Sequence, residues 1–215
     1  MRRLYRLSQL QAWFTINSAM CSYAGRVSGV KNNLALLGLQ ANATKAVLTD
    51  MMQSAAQSLL QLTGAKGYRR DHIAGRAVVD SRPFMIFEGS NDVMYYQIAE
   101  TILKEMKKKK VTNIYIFFSR FELTEKITGY YKHLLDFNLN MESVQRAKVA
   151  LGNIVARLIT TEFALDLMAA GFRTDLVNNA IQVVGNTIAQ QLSSVTQPGQ
   201  IQVIEAYQDG SDWKS

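Results

Sequence analysis

Hydrophobic residues recur along the first part of the chain at intervals of three and four, the spacing that places them on one side of an α-helix. Two long segments, 3–28 and 33–62, follow this pattern and are separated by a short turn that begins near Gly25 to Gly29. Short turns of this kind join antiparallel neighbours in helical bundles. The positions that the pattern assigns to the buried side are Leu4, Leu7, Leu10, Phe14, Cys21, Leu36, Leu39, Ala43, Val47, Met51, Ala55 and Leu59.

The rest of the chain contains further helical segments and one irregular stretch. Residues 68–89 lose the periodicity, and a helix is predicted from Asn91 to about Met106, before four consecutive lysines. The apolar stretch 111–118 has the composition of a strand, but no partner strand is in sight, so a helical or extended connector is predicted. A helix from about Ser119 is predicted to follow it.

The clearest periodicity lies further along, where a long helix is predicted to end at Gly171. Asn138 or Asn140 is expected to cap its start, and Thr174 to cap a last helix that ends before Pro198. The positions on the buried side of the long helix are Val144, Ala147, Leu151, Ile154, Leu158, Thr161, Leu165 and Met168.

These segments predict an all-α protein. Residues 1–110 are expected to form an up-and-down helical bundle, and residues 111–215 an additional C-terminal helical region, with the boundary at the lysine run. Only two prolines interrupt the whole chain, which agrees with a helical fold.

The net charge of +7 does not indicate a nucleic-acid partner, because it is concentrated in two short clusters. Without Lys107–Lys110 the charge falls to +3, and without Arg2, Arg3 and Arg6 it falls to zero. The lysine run is interpreted as a solvated helix end, where cations are favoured by the helix dipole. A peripheral contact with an anionic membrane surface or an acidic partner is the alternative.

Other features argue against several classes of protein. Cys21 is the only cysteine, so no internal disulfide is possible, and it is expected to be a buried thiol. His72 and His133 are far apart in sequence with no matching ligands, so no metal site is expected. No apolar run is long enough for a transmembrane helix or a persuasive signal peptide. A cytoplasmic or organelle-matrix location is therefore expected, with a membrane-peripheral one as the alternative.

Two short motifs are uninformative when each is taken alone. The turn Gly64-Ala65-Lys66-Gly67 is typical of the end of a helix, because glycine adopts the left-handed conformation that terminates helices. Glu88-Gly89-Ser90 is typical of the start of one, where a carboxylate is favoured near the positive end of the helix dipole.

The order in which these motifs follow one another changes their interpretation. The chain has Gln61-Leu62-Thr63-Gly64-Ala65-Lys66-Gly67-Tyr68, then Asp80-Ser81-Arg82, then Ile86-Phe87-Glu88-Gly89-Ser90-Asn91-Asp92. This series resembles the C-terminal helical domain of the acyl-CoA dehydrogenases, which has Gln-x-x-Gly-Gly-x-Gly-Tyr, then Arg-Asp-Ala-Arg, then Ile-Tyr-Glu-Gly-Thr. The last motif is most similar to the very-long-chain branch, whose members carry an extra helical region that residues 111–215 would match in position.

The resemblance implies a role for each matching residue. Glu88 matches the catalytic base, and Gly89 a position that lies against the acyl-CoA. Matches to positions that contact the FAD of a neighbouring subunit are Gln61, Gly64 and Ala65; matches to further flavin contacts are Ser90, Asn91 and Asp92. The implied reaction is α,β-dehydrogenation of an acyl-CoA thioester to a trans-2-enoyl-CoA. The implied partners are the acyl-CoA substrate, an electron-accepting flavoprotein and further copies of the chain in a homo-oligomer.

A carboxylate suits this reaction, because the base must be unprotonated yet strong enough to remove a proton from carbon. Burial beside an acyl chain and a flavin ring raises the pKa of a carboxyl group towards working pH. Ile86 and Phe87 are consistent with such surroundings.

Several departures limit the resemblance. The family's second glycine is Ala65, and the arginine of its Arg-Asp-Ala element is Val79. The N-terminal helical and middle β-domains of the family, and its Arg-x-x-Phe-Gly element, have no counterpart here. The chain is therefore expected to be the C-terminal part of such an enzyme or a shortened relative, without FAD binding or turnover on its own. A non-enzymatic helical module for self-association or partner binding, derived from that family, is the alternative.

Overall fold

The computed structural model describes residues 2–29, 32, 34–139 and 145–196. Within these ranges the fold is helical and contains no strand. The helices are α1 (Arg2–Val27), α2 (Gly38–Thr63), α3 (Ile73–Ser81), α4 (Asn91–Lys109), α5 (Ile114–Phe118), α6 (Glu125–Thr128), α7 (Lys132–Leu135), α8 (Gln145–Ala169) and α9 (Thr174–Thr196). Short 3-10 turns cover Leu34–Leu37, Gly64–Tyr68, Arg82–Met85 and Gly129–Tyr131. The all-α prediction is confirmed.

Helix α8 is the centre of the fold. It packs against α1, α2, α4 and α9, and consequently it is buried from Leu151 to Leu165 on nearly every side rather than along one stripe. One hydrophobic cluster joins these helices with the short helices between α4 and α8. The predicted boundary at the lysine run stays a prediction, but the segments on its two sides share this core. None of the described helices is long and apolar enough to span a bilayer.

The orientation of α1 differs from the prediction, although its extent agrees. Leu4, Leu7 and Phe14 are 74%, 52% and 68% exposed, and Cys21 is also exposed. The buried face consists of Ala12, Thr15, Ile16, Ala19 and Met20. Apolar residues occur on more than one side of α1, so periodicity alone could not select the side that faces α8 and α9. Leu36 and Leu59 in the second segment are exposed as well, whereas Ala43, Val47 and Met51 are buried as predicted.

The stretch predicted to be irregular contains α3. His72 caps this helix by accepting a hydrogen bond at Nδ1 from the Ala74 amide, at 3.1 Å. Gly75 lies beneath the preceding turn, where a Cβ atom would stand 2.5 Å from the Arg69 carbonyl oxygen and 2.7 Å from that of Gly67. Helix α3 therefore supports the glycine turn, which ends α2 at Gly64 with a φ of 71°, as predicted.

The segment between α4 and α8 forms a compact connector. Lys107–Lys109 lie in the last turn of α4, and Lys110 ends it in the left-handed conformation. Residues 111–118 contain the short helix α5, with an isolated bridge between Asn113 and Asn138. The single helix predicted from Ser119 is instead divided into α6, a 3-10 turn and α7. The predicted cap at Asn140 and the position of Val144 lie outside the described residues.

A buried carboxylate attaches this connector to α8. Glu162 is only 4% exposed and accepts backbone hydrogen bonds from Ile127 at 2.9 Å and Lys126 at 3.4 Å, at the start of α6. Burial raises the pKa of the Glu162 carboxyl group, and the two amide hydrogen bonds oppose the rise. The Lys126 ammonium, itself paired with Asp166 at 2.8 Å, is the nearby opposite charge.

Stability is expected to depend on the ionisation of Glu162. Because its pKa is raised in the folded state, its contribution to stability is complete below the unfolded value of about 4.3 and is lost as pH rises through the folded value. The unfolding free energy of the wild type, relative to Glu162→Gln, should therefore fall between about pH 4 and neutrality. Urea denaturation across this range measures the difference, with Glu122→Gln as an exposed control. An increase with pH would contradict the assignment.

Candidate functional site

Glu88 lies in a tight turn that immediately precedes α4. Its φ is 59° and that of Gly89 is 108°, so two successive residues have left-handed backbone conformations. This conformation is easy for glycine but costs a residue with a Cβ atom about 1–2 kcal/mol. Non-glycine residues with such strain concentrate at functional sites. The residue that the sequence singles out is thus one of two described non-glycine residues with positive φ, the other being Lys110.

The side chain of Glu88 is exposed and lies among exposed apolar residues. Phe84 and Phe87 pack edge to face with ring centroids 6.4 Å apart, yet Phe87 remains 62% exposed and neighbouring Ile86 67% exposed. Val93, in the first turn of α4, is 51% exposed. Within the described part of the chain, Glu88 is therefore exposed and has exposed apolar residues close to it in sequence, not the buried surroundings expected for the base.

The three residues after Gly89 begin α4 in different ways. Ser90 is the N-cap and accepts a hydrogen bond from the Val93 amide at 3.5 Å, whereas Asp92 is exposed in the first turn. The first amides of a helix have no intrahelical acceptor, so this end is suited to an anionic group. Asn91 differs from both because it is only 5% exposed. Its side chain is hydrogen bonded to α2, which leaves only its backbone for a ligand.

Asn91 belongs to a polar network that joins α2, α4 and α8. Its Nδ2 donates to Asp50 Oδ1 at 2.7 Å, and the Tyr95 hydroxyl donates to Asp50 Oδ2 at 2.5 Å. Arg157 of α8 lies 3.5 Å from the Tyr95 hydroxyl oxygen and 3.8 Å from Asp50 Oδ2. Burial raises the pKa of the Tyr95 hydroxyl above its usual range, so it stays a donor to Asp50. At the end of the network that is next to Glu88, Lys45 Nζ donates a hydrogen bond to the Gly89 carbonyl oxygen.

The partners of Asn91 in this network are residues for which the sequence predicted no role. One signal was present, because Lys45 and Asp50 are the only charged residues of α2. Charged side chains in a helix that packs against a core are rarely buried without a partner. The identity of their partners, however, depends on contacts between residues more than forty positions apart in sequence.

The residues of the first motif lie elsewhere on the molecule. Gln61, Gly64 and Ala65 are exposed at the C-terminal end of α2. Asn91 contacts α2 at Asp50, and Asp50 and Gln61 are about 16 Å apart along the axis at a rise of 1.5 Å per residue. The two motifs therefore form two separate surfaces.

Part of the chain matches a known protein family. Residues 5–103 match the family described as acyl-CoA dehydrogenase, C-terminal domain. The match covers α1 to most of α4, a little less than half of the chain, and includes both motifs. It supports the acyl-CoA dehydrogenase family for this segment and the helical fold that the structure shows. No match was found among curated proteins.

The acyl-CoA dehydrogenases use FAD, and the donors present here are compatible with it. The start of α4 offers the half-buried Ser90 and the first amides of the helix. A second polar surface consists of Gln61 and the turn at Gly64 and Ala65, which are exposed. Among the described residues, no three side chains of His, Cys, Asp or Glu are grouped to hold a metal ion.

Proposed function

We propose that the chain is the C-terminal portion of an FAD-dependent acyl-CoA dehydrogenase, and that Glu88 is its catalytic base. The observation that carries the proposal is the backbone of Glu88, which is held in a strained conformation, faces solvent and lies among exposed apolar residues. The family match over residues 5–103 supports the reaction class. The Phe87 and Asn91-Asp92 form of the motif favours the very-long-chain branch.

In this proposal the chain positions a proton acceptor, and bound substrate, flavin or a neighbouring subunit excludes water from it. The Glu88 carboxylate removes the α-proton of the acyl thioester, and Gly89, which has no side chain, lets the substrate approach the backbone. Bound FAD supplies the acceptor for the β-hydride. The exposed side chains of Phe84, Ile86 and Phe87 become covered by substrate, flavin or a neighbouring subunit, which raises the pKa of the carboxyl group by desolvation.

Replacing Glu88 with glutamine tests the role of the carboxylate. In the flavin-containing enzyme that includes this chain, Glu88→Gln should lower kcat for acyl-CoA dehydrogenation by about 10²- to 10⁴-fold, the usual contribution of a general base. The flavin absorbance spectrum and the flavin content should stay unchanged, because glutamine preserves the size of the side chain. Glu105→Gln, at a position far along α4, is the matched control.

The same measurements separate the enzyme from the alternative function. A helical association module is favoured by Ala65 and Val79, which depart from the family's motifs. It predicts that the chain self-associates. It also predicts that the longest protein naturally produced with this chain shows no flavin absorbance. Wild-type kcat in the Glu88→Gln enzyme would contradict the assignment of Glu88 as the base. It would not contradict the proposed flavin site.

A further inference from the structure

Lys45 reaches from α2 to the turn that contains Glu88. Its Nζ donates to the Gly89 carbonyl oxygen at 2.9 Å and to Asn91 Oδ1 at 3.0 Å. The ammonium therefore binds the residues on both sides of Ser90, the N-cap of α4. Hydrogen bonds from a charged donor are roughly twice as strong as neutral ones.

The turn requires such a contact because its own backbone is unfavourable. Glu88 has a φ of 59°, which costs a non-glycine residue about 1–2 kcal/mol unless its surroundings hold it. The Ser90 cap fixes the chain on the helical side of the turn. Lys45 holds the carbonyl group of Gly89, which follows Glu88 and precedes α4. This contact fixes the direction of the backbone after Glu88.

The position of Lys45 is itself set by the network beneath it. Asn91 Oδ1 accepts from Lys45, while Asn91 Nδ2 lies 2.7 Å from Asp50 Oδ1 and 3.2 Å from the Ala46 carbonyl oxygen. The amide of Asn91 can therefore take only one orientation, with its oxygen towards the ammonium. The Thr49 hydroxyl, 2.9 Å from Asn91 Nδ2, completes the contacts within α2.

We propose that Lys45 is a positioning residue for Glu88, holding the Gly89 carbonyl so that the carboxylate is presented in one direction. The proposal rests on the proposed function for its catalytic consequence. Its structural part concerns only the turn and can be measured separately. Lys45 acts through the backbone of Gly89 and through Asn91, and no contact with substrate is assigned to it.

The structural part is tested by hydrogen exchange on the 215-residue chain. Lys45→Met keeps the length of the side chain but removes both hydrogen bonds. The amides of Phe87 and Met94, which donate to the carbonyl oxygens of Pro83 and Ser90 on the two sides of the turn, should then exchange about tenfold faster or more. Lys45→Arg should restore part of the protection, and Lys108→Met, at an exposed lysine of α4, should change nothing. Unchanged exchange in peptides from α8 shows that each variant is folded. Wild-type exchange at Phe87 and Met94 in Lys45→Met would overturn the proposal.

The catalytic part is tested in the flavin-containing enzyme that includes this chain. Lys45→Met should lower kcat by about 10- to 100-fold with little change in KM, because misplacing a reacting group by about 1 Å has effects of this size. Lys45→Arg should recover much of the loss. If Glu88→Gln is inactive and Lys45→Met has wild-type kcat, the Lys45 proposal fails alone. If Glu88→Gln retains full kcat, the proposed function fails and the positioning role fails with it.

Discussion

Replacing Gly152 with alanine is expected to lower the free energy of unfolding by at least about 3 kcal/mol. Gly152 lies where α8 crosses α4, and an added Cβ atom would stand 1.8 Å from the Tyr95 carbonyl oxygen and 2.5 Å from its carbon. These are backbone atoms of a helix, so no side-chain rotation can relieve the overlap. The two helices have to separate, which opens the core around α8.

Thermal unfolding measures this effect directly. For a chain of this length, a loss of about 3 kcal/mol corresponds to a fall in Tm of about 6–12 °C. Gly25→Ala is the matched control, because Gly25 is also within a helix but has no atom within 4 Å of the added Cβ. Alanine there should raise stability by about 0.5–1 kcal/mol. Equal Tm values for the two variants would show that α4 and α8 do not meet at Gly152.

Replacing Arg157 with methionine is expected to destabilise the protein by about 2 kcal/mol, because it leaves the Asp50 carboxylate without its cation. Breaking a fully buried ion pair costs about 3–5 kcal/mol. The lower figure applies here because the Asp50 side chain is 21% exposed and the separation is 3.8 Å. Asp50 also keeps its hydrogen bonds from Asn91 and Tyr95.

A double-mutant cycle isolates the interaction between these two residues. Asp50→Asn combined with Arg157→Met should be less destabilising than the sum of the single changes, by about 1 kcal/mol. Arg146→Met, at an exposed position of α8, should lie within about 0.5 kcal/mol of the wild type. Strict additivity of Asp50→Asn and Arg157→Met would mean that Arg157 contributes through packing alone.

The Arg157 result also bears on the second half of the chain. Arg157 lies outside the segment 5–103 that matches the family, yet it contacts Asp50 and Tyr95 within that segment. Through Asn91, the same network reaches the turn of Glu88. Helix α8 therefore supports the candidate site through the contacts of Arg157 with Asp50 and Tyr95. The position of residues 111–215 in the sequence did not indicate this role.

The prediction of helices was most accurate where capping and periodicity agreed. Gly64 ended α2 and the lysine run ended α4 as predicted, since both effects act within one turn of helix. It was least accurate for short helices. Helix α3 was not predicted, because its nine residues give too little periodicity. A helix this short is stabilised mainly by packing, here against α2 and the turn that contains Gly67.

Sequence by itself determined the all-α class, the extents of the long helices and the motif around Glu88, because these follow from residue spacing within short segments. Tertiary structure decided which face of α1 is buried, that Gly152 lies at the crossing of two helices, and that Lys45 and Asn91 hold the turn of Glu88. Each of these depends on residues that are distant along the chain and adjacent only after packing. Local spacing specifies a helix, but burial is specified by its neighbours.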